Sequence, residues 1–120
     1  MITKERQRYL LIRIIADGEI GEQQLIRAIW RNLSSLYGEY GTSRTGLWLI
    51  EYDRNKYGIL RTNTEALTMV RSALAVIRQI EGTNCLLVVE GVSGTIEALK
   101  KKHLVKIKLD TQGEIQSDQT

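Results

Sequence analysis

Leu47-Trp48-Leu49-Ile50-Glu51-Tyr52 and Tyr57-Gly58-Ile59-Leu60-Arg61-Thr62 flank the polar tetrad Asp53-Arg54-Asn55-Lys56. Two short runs rich in β-branched and aromatic residues around such a turn read as a β-hairpin. Its setting decides the fold, because a helical pattern lies on either side of it. Upstream, Leu25, Ile26, Ile29, Trp30, Leu33 and Leu36 recur at three and four positions from about Gly21, with Gly38 as a helix stop and Glu39 to Gly46 as a loop. Downstream, Asn63 or Thr64 offers a cap to a second helix bearing Leu67, Val70, Leu74, Ile77 and Ile80, closed by Gly82.

Further out, Gln7 to Ala16 is too apolar and too short for a surface helix and reads as a buried strand. Asn84 to Glu90, with its Cys-Leu-Leu-Val-Val run, reads as a central strand covered on both faces. Gly91-Val92-Ser93-Gly94-Thr95 then turns into a short third helix ending at Lys100-Lys101-Lys102. Val105 to Leu109 alternates like a further strand, with a continued helix as the other reading, and the last residues are polar. The order β-α-β-β-α-β-α predicts an α+β fold: a two-layer α/β sandwich, ferredoxin-like or RRM-like, with a mostly antiparallel sheet.

A chain of 120 residues has room for one core, here assigned to residues 1–108 with a polar, mobile tail over 109–120. The single cysteine, Cys85, excludes an internal disulfide and reads as a small core residue. No secretory signal or membrane span is read, and the expectation is a cytoplasmic protein. The net charge of +3 hides an asymmetry: residues 1–108 hold 17 basic and 11 acidic side chains, a net of +6, whereas the tail is acidic. Such a field favours an anionic partner, RNA above all.

Chemistry is harder to find. One histidine and one cysteine make a poor nucleophilic pair, no acidic spacing resembles a metal cluster, and no phosphate loop ends in Gly-Lys-Ser/Thr. Glu51 and Asp53 read as the solvent side of a strand, and His103 as a surface residue at a helix C-terminus. Catalysis by the isolated chain is therefore not expected. RRM-style base stacking also lacks its signature, since there is no Phe. Tyr9, Trp48, Tyr52 and Tyr57 could stack on bases, although strand aromatics more often fill a core or a protein interface. The more informative segment is Ser93, Gly94 and Thr95, which at a helix start would present free amides and hydroxyls to a phosphate; alternatively Ser93 only caps the helix. Lys100, Lys101 and Lys102 form a solvated run beside it. Arg8, Arg44 and Arg61 complete the candidates for RNA contact, each equally able to pair with a carboxylate.

Arg8-Tyr9-Leu10, Ala28-Ile29-Trp30, Gly38-Glu39-Tyr40-Gly41-Thr42, Trp48-Leu49-Ile50, Tyr57-Gly58-Ile59-Leu60-Arg61, Ser72-Ala73-Leu74-Ala75 and Gly91-Val92-Ser93-Gly94-Thr95-Ile96 stand in the order found in archaeal ribonuclease P protein component 2. The chain resembles that family over residues 7–103. The resemblance implies a protein subunit of the ribonucleoprotein that removes the 5′ leader from precursor tRNA, without a catalytic site or bound cofactor of its own. In that family the RNA and its Mg²⁺ ions supply the chemistry, and a TIM-barrel protein subunit is the partner, two copies of each assembling together. A small basic domain would help by lowering repulsion among crowded phosphates. The acidic end beyond Lys108 departs from the family pattern. An alternative from the residues alone is a ferredoxin-like regulatory domain that holds a small anionic metabolite at the Gly91 to Thr95 turn.

Overall fold

The computed structural model describes residues 6–104; the strand expected at 105–109 and the polar tail lie outside the described residues. Strand β1 (Gln7–Ala16) leads to helix α1 (Glu22–Ser43), then β2 (Trp48–Asp53) and β3 (Tyr57–Asn63). A single 3-10 turn, Thr64–Ala66, opens into α2 (Leu67–Val76), followed by the two-residue β4 (Gln79–Ile80), β5 (Thr83–Ser93) and α3 (Ile96–Leu99), which runs into a π-helical turn at Lys100–Leu104. The five strands lie in the order β2-β3-β1-β5-β4, every neighbouring pair antiparallel. With β4 set aside as a short appendage, this is the ferredoxin-like order, in which α1 and α2 carry the chain across one face of the sheet.

Alternation along β1 divides the core in two. Leu10, Ile12 and Ile14, with Leu60 of β3 and Leu87 of β5, face Leu25, Ile29 and Leu33 of α1 and Val70, Ala73 and Leu74 of α2. The opposite set, Leu11 with Tyr57 and Ile59 of β3, is buried under Leu99 and Leu104. Fully burying a leucine contributes about 2 kcal/mol, so these two residues help to hold α3 and the following turn on the outer face. Cys85 is buried and free, as its place in an apolar run suggests. No helix among the described residues is long and apolar enough to cross a membrane.

Four expectations need correction. Gly38 does break the helix, with φ 75° and ψ 166°, but the helix resumes as far as Ser43, so the expected loop at 39–46 shrinks to its last residues. Leu36, just before this kink, is exposed. Helix α2 ends at Val76: Ile77 is extended (φ −75°, ψ 117°) and Ile80 belongs to β4. Gly82 (φ 88°) and Glu81 (φ 46°) therefore form the tight β4–β5 hairpin turn rather than a helix cap. Lastly, β5 runs on through Gly91 to Ser93, and its first part is covered on only one face: Cys85 and Leu87 are buried, whereas Leu86 and Val88 are exposed.

Candidate nucleic-acid interface

In an RRM-like sheet the outer face of the two central strands is the usual place for bases to stack. Here α3 closes its centre. A Cβ at Gly91 would lie 2.3 Å from His103 Cδ2, so the absence of a side chain there lets the imidazole settle on the strand. His103 is accordingly half-buried rather than a surface residue. Glu51 fastens the other side of the helix: one carboxylate oxygen accepts the Tyr57 hydroxyl at 2.5 Å and the other takes the Lys100 ammonium at 2.8 Å. Burial first, then that hydrogen bond and the nearby charges of Glu51 and Asp53, hold the Tyr57 phenol well above its ordinary range. Glu51 is thus a structural joint and not merely the solvent side of a strand.

Three of the four candidate stacking aromatics are occupied. Tyr57 is buried under α3. Tyr52 points to the other face, its hydroxyl donating to the Ile20 carbonyl at 2.6 Å. Tyr9 leans on the outer cluster and is half-buried. Trp48 alone stands out, 60% exposed.

The free part of the outer face is the sheet end where β1 and β2 begin and β3 and β5 finish. Pairing there places Trp48 opposite Arg61, Arg61 opposite Tyr9, and Tyr9 opposite Ser93, one row across four strands. Arg8 adjoins the same end, its Nη1 3.6 Å from where a Gly94 side chain would begin and bonded to the Gln7 carbonyl at 2.9 Å. Arg44 is tied to this end through its carbonyl, which accepts from Asn63 Nδ2 at 2.6 Å. The Arg44 guanidinium bonds the Tyr40 hydroxyl at 2.6 Å and lies 5.4 Å from that ring's centre. Arg6 joins the group unannounced by the sequence, its carbonyl accepting from the Thr64 amide at 2.8 Å. An open cavity of about 250 Å³ between Arg44, Asn63, Glu65 and Met69 borders the group.

Of the candidate residues, then, Arg8, Arg61, Ser93, Gly94 and Thr95 are brought together, with Arg44 at the same end. Thr95, not Ser93, caps α3, its Oγ1 accepting from the Ala98 amide at 3.1 Å. Because α3 is a single turn of four residues, its dipole adds little pull on an anion. That removes the main physical support for a small-metabolite site. Lys100 is paired with Glu51, whereas Lys101 and Lys102 are exposed at the other end of α3.

The sequence model described as the Rpp14/Pop5 family matches residues 8–104. Ribonuclease P protein component 2 of Pyrococcus horikoshii is 36% identical over 104 residues, covering 86% of this chain and 87% of the relative. The protein of the same name from Archaeoglobus fulgidus is 39% identical over 101 residues, 84% of this chain and 91% of its own length. Among solved structures, a chain in the cryo-EM structure of yeast ribonuclease MRP superposes with a TM-score of 0.64 over the whole of both chains, at 14% identity.

Proposed function

The chain belongs to the Rpp14/Pop5 family, and on that footing we propose that it is a protein subunit of ribonuclease P that binds and steadies the RNA of the particle while the RNA cleaves precursor tRNA. The observation that carries this reading is the match over residues 8–104, shared with archaeal relatives named ribonuclease P protein component 2. The placement of the cationic side chains supports this reading. With the centre of the outer face closed by α3, the part of that face left open beside arginines is the sheet end. Arg8 and Arg61, with the polar Ser93, Gly94 and Thr95, are assigned to the RNA backbone, Arg44 flanks them, and Lys101 and Lys102 form a second point of contact. Contacts of this kind neutralise phosphate charge without reading bases.

Among the described residues no three His, Cys, Asp or Glu side chains gather as a metal set. In this reading the RNA of the particle holds the Mg²⁺ that its chemistry calls for. The protein partner of the reading, a TIM-barrel subunit assembled two-and-two with this chain, needs an apolar landing surface. Ile15, Leu86 and Val88, exposed together at the opposite end of the outer face, are assigned to it.

The test is reconstitution of precursor-tRNA cleavage from the cognate RNA and the remaining protein subunits, with and without this chain. Omission is expected to abolish or sharply reduce cleavage at moderate Mg²⁺, with partial recovery at high Mg²⁺. Equal cleavage with and without the chain at every Mg²⁺ concentration would remove the proposal.

A further inference from the structure

We propose that Trp48 is a stacking platform for one unpaired RNA base, with Arg61 beside it to receive that nucleotide's phosphate; this deepens the RNA-binding reading above and rests on it. The indole is 60% exposed on an edge strand, while the other strand aromatics are engaged in packing or hydrogen bonds. An indole left in water is costly to keep unless something covers it. Its surroundings select the occupant. Arg61 is its direct cross-strand partner, with a buried Nε that has no hydrogen-bond acceptor. Arg8, one position along β1 from this row, pairs with Thr62, and the Arg44 guanidinium at the same end of the sheet rests on Tyr40. The nearest carboxylate on the same strand face, Glu51, is already engaged by Tyr57 and Lys100. An exposed aromatic plate with an arginine as its direct neighbour suits a nucleotide, whose base offers a π-face and whose phosphate offers charge.

The row also tells what the platform would not do. Of the two side-chain amides at this end, Asn63 is spent on the Arg44 carbonyl and the Ala66 amide, and Gln7, opposite it on β1, has its Oε1 buried. The hydroxyls in the row are those of Ser93 and Tyr9. With so few groups to read a base edge, binding is expected to tolerate any base. Paired RNA, whose bases are already stacked on one another, is excluded. The ligand class is thus a loop, bulge or single-stranded junction.

The experiment titrates a ten-nucleotide oligouridylate, an oligoadenylate of the same length and a fully paired duplex into the wild-type chain and into Trp48→Phe and Trp48→Leu. The difference in emission between wild type and Trp48→Phe isolates Trp48 from Trp30. Both single strands are expected to quench Trp48 and the duplex to leave it unchanged. Trp48→Phe should bind single strands within about three-fold of wild type, and Trp48→Leu about ten-fold more weakly. Trp48 lies on the surface, so both variants should fold as wild type does. Wild-type affinity in Trp48→Leu would overturn the platform while leaving the subunit reading intact, provided ribonuclease P RNA still binds. Emission that changes only when the other protein subunits are added would overturn it in favour of a protein contact. Failure of the wild-type chain to bind ribonuclease P RNA at all would bring down the underlying reading and the platform with it.

Discussion

The two faces of the sheet are built by different means. On the inner face, aliphatic side chains of β1, β3 and β5 meet two long helices, and nothing but size and periodicity is required. On the outer face one helical turn is held by two leucines, a glycine that admits an imidazole, and a carboxylate shared between a tyrosine and a lysine. The first arrangement makes the domain stable. The second closes the central strands and leaves the sheet end open, which is the surface the proposed function gives to RNA. A segment of nine residues, Ile96 to Leu104, thereby changes which part of the sheet of a common fold is left open.

The sharpest way to separate the faces is to cut into each. Ile29→Ala, in the helix side of the core, should lower stability by about 3–4 kcal/mol, read as a shift in the urea midpoint. Leu99→Ala should cost less, about 2–3 kcal/mol, because α3 touches the sheet with few side chains. Equal losses would mean that the outer layer is as integral to folding as the inner one. Gly91→Ala comes next, at about 1–3 kcal/mol, since the new methyl collides with His103. His103→Ala in the same chain should restore much of that loss; no restoration would mean that the collision is not the cause. Lys100→Met should cost under about 1 kcal/mol, because the pair with Glu51 is partly open to water.

The smallest effect at neutral pH is expected at Tyr57. Its phenol keeps its proton to a higher pH in the folded chain than in the unfolded one, where it titrates near pH 10 (about 10). The folded state thus binds more protons in alkali. The stabilisation is fully present below about pH 10 and is lost as pH rises from there towards the folded value. Thermal denaturation of Tyr57→Phe should therefore show a flatter alkaline decline than wild type, and an identical decline would disconnect the tyrosine from it.

The same contrast explains what could be read in advance. The bounds of β1, the hairpin around Asp53 to Lys56 and the buried Cys85 follow from local pattern and appear as expected, whereas Asn63 caps the 3-10 turn that leads into α2 rather than α2 itself. Ile77 and Ile80 fall at helical spacing after Leu74, but the chain is already extended there, because pairing of β4 with β5 outweighs periodicity. Leu86 and Val88 looked buried because an apolar run does not reveal that one side of a sheet is bare. The candidate site was visible as residue types and invisible as geometry. Arg8, Arg61 and Ser93 to Thr95 are scattered over the sequence, and it is strand register that gathers them. A bulge between Leu49 and Glu51 puts Trp48 and Glu51 on one face, against simple alternation. That shift made Glu51 look like a solvent residue and hid the joint that closes the helix over the sheet.

The most direct test of RNA contact at the sheet end is the salt dependence of binding to ribonuclease P RNA, compared between wild type and the double variant Arg8→Ala/Arg61→Ala. If these arginines neutralise phosphates, the plot of log K against log salt becomes shallower by roughly 1 to 2, with weaker binding at every salt concentration. An unchanged slope and affinity in the folded double variant would contradict the account.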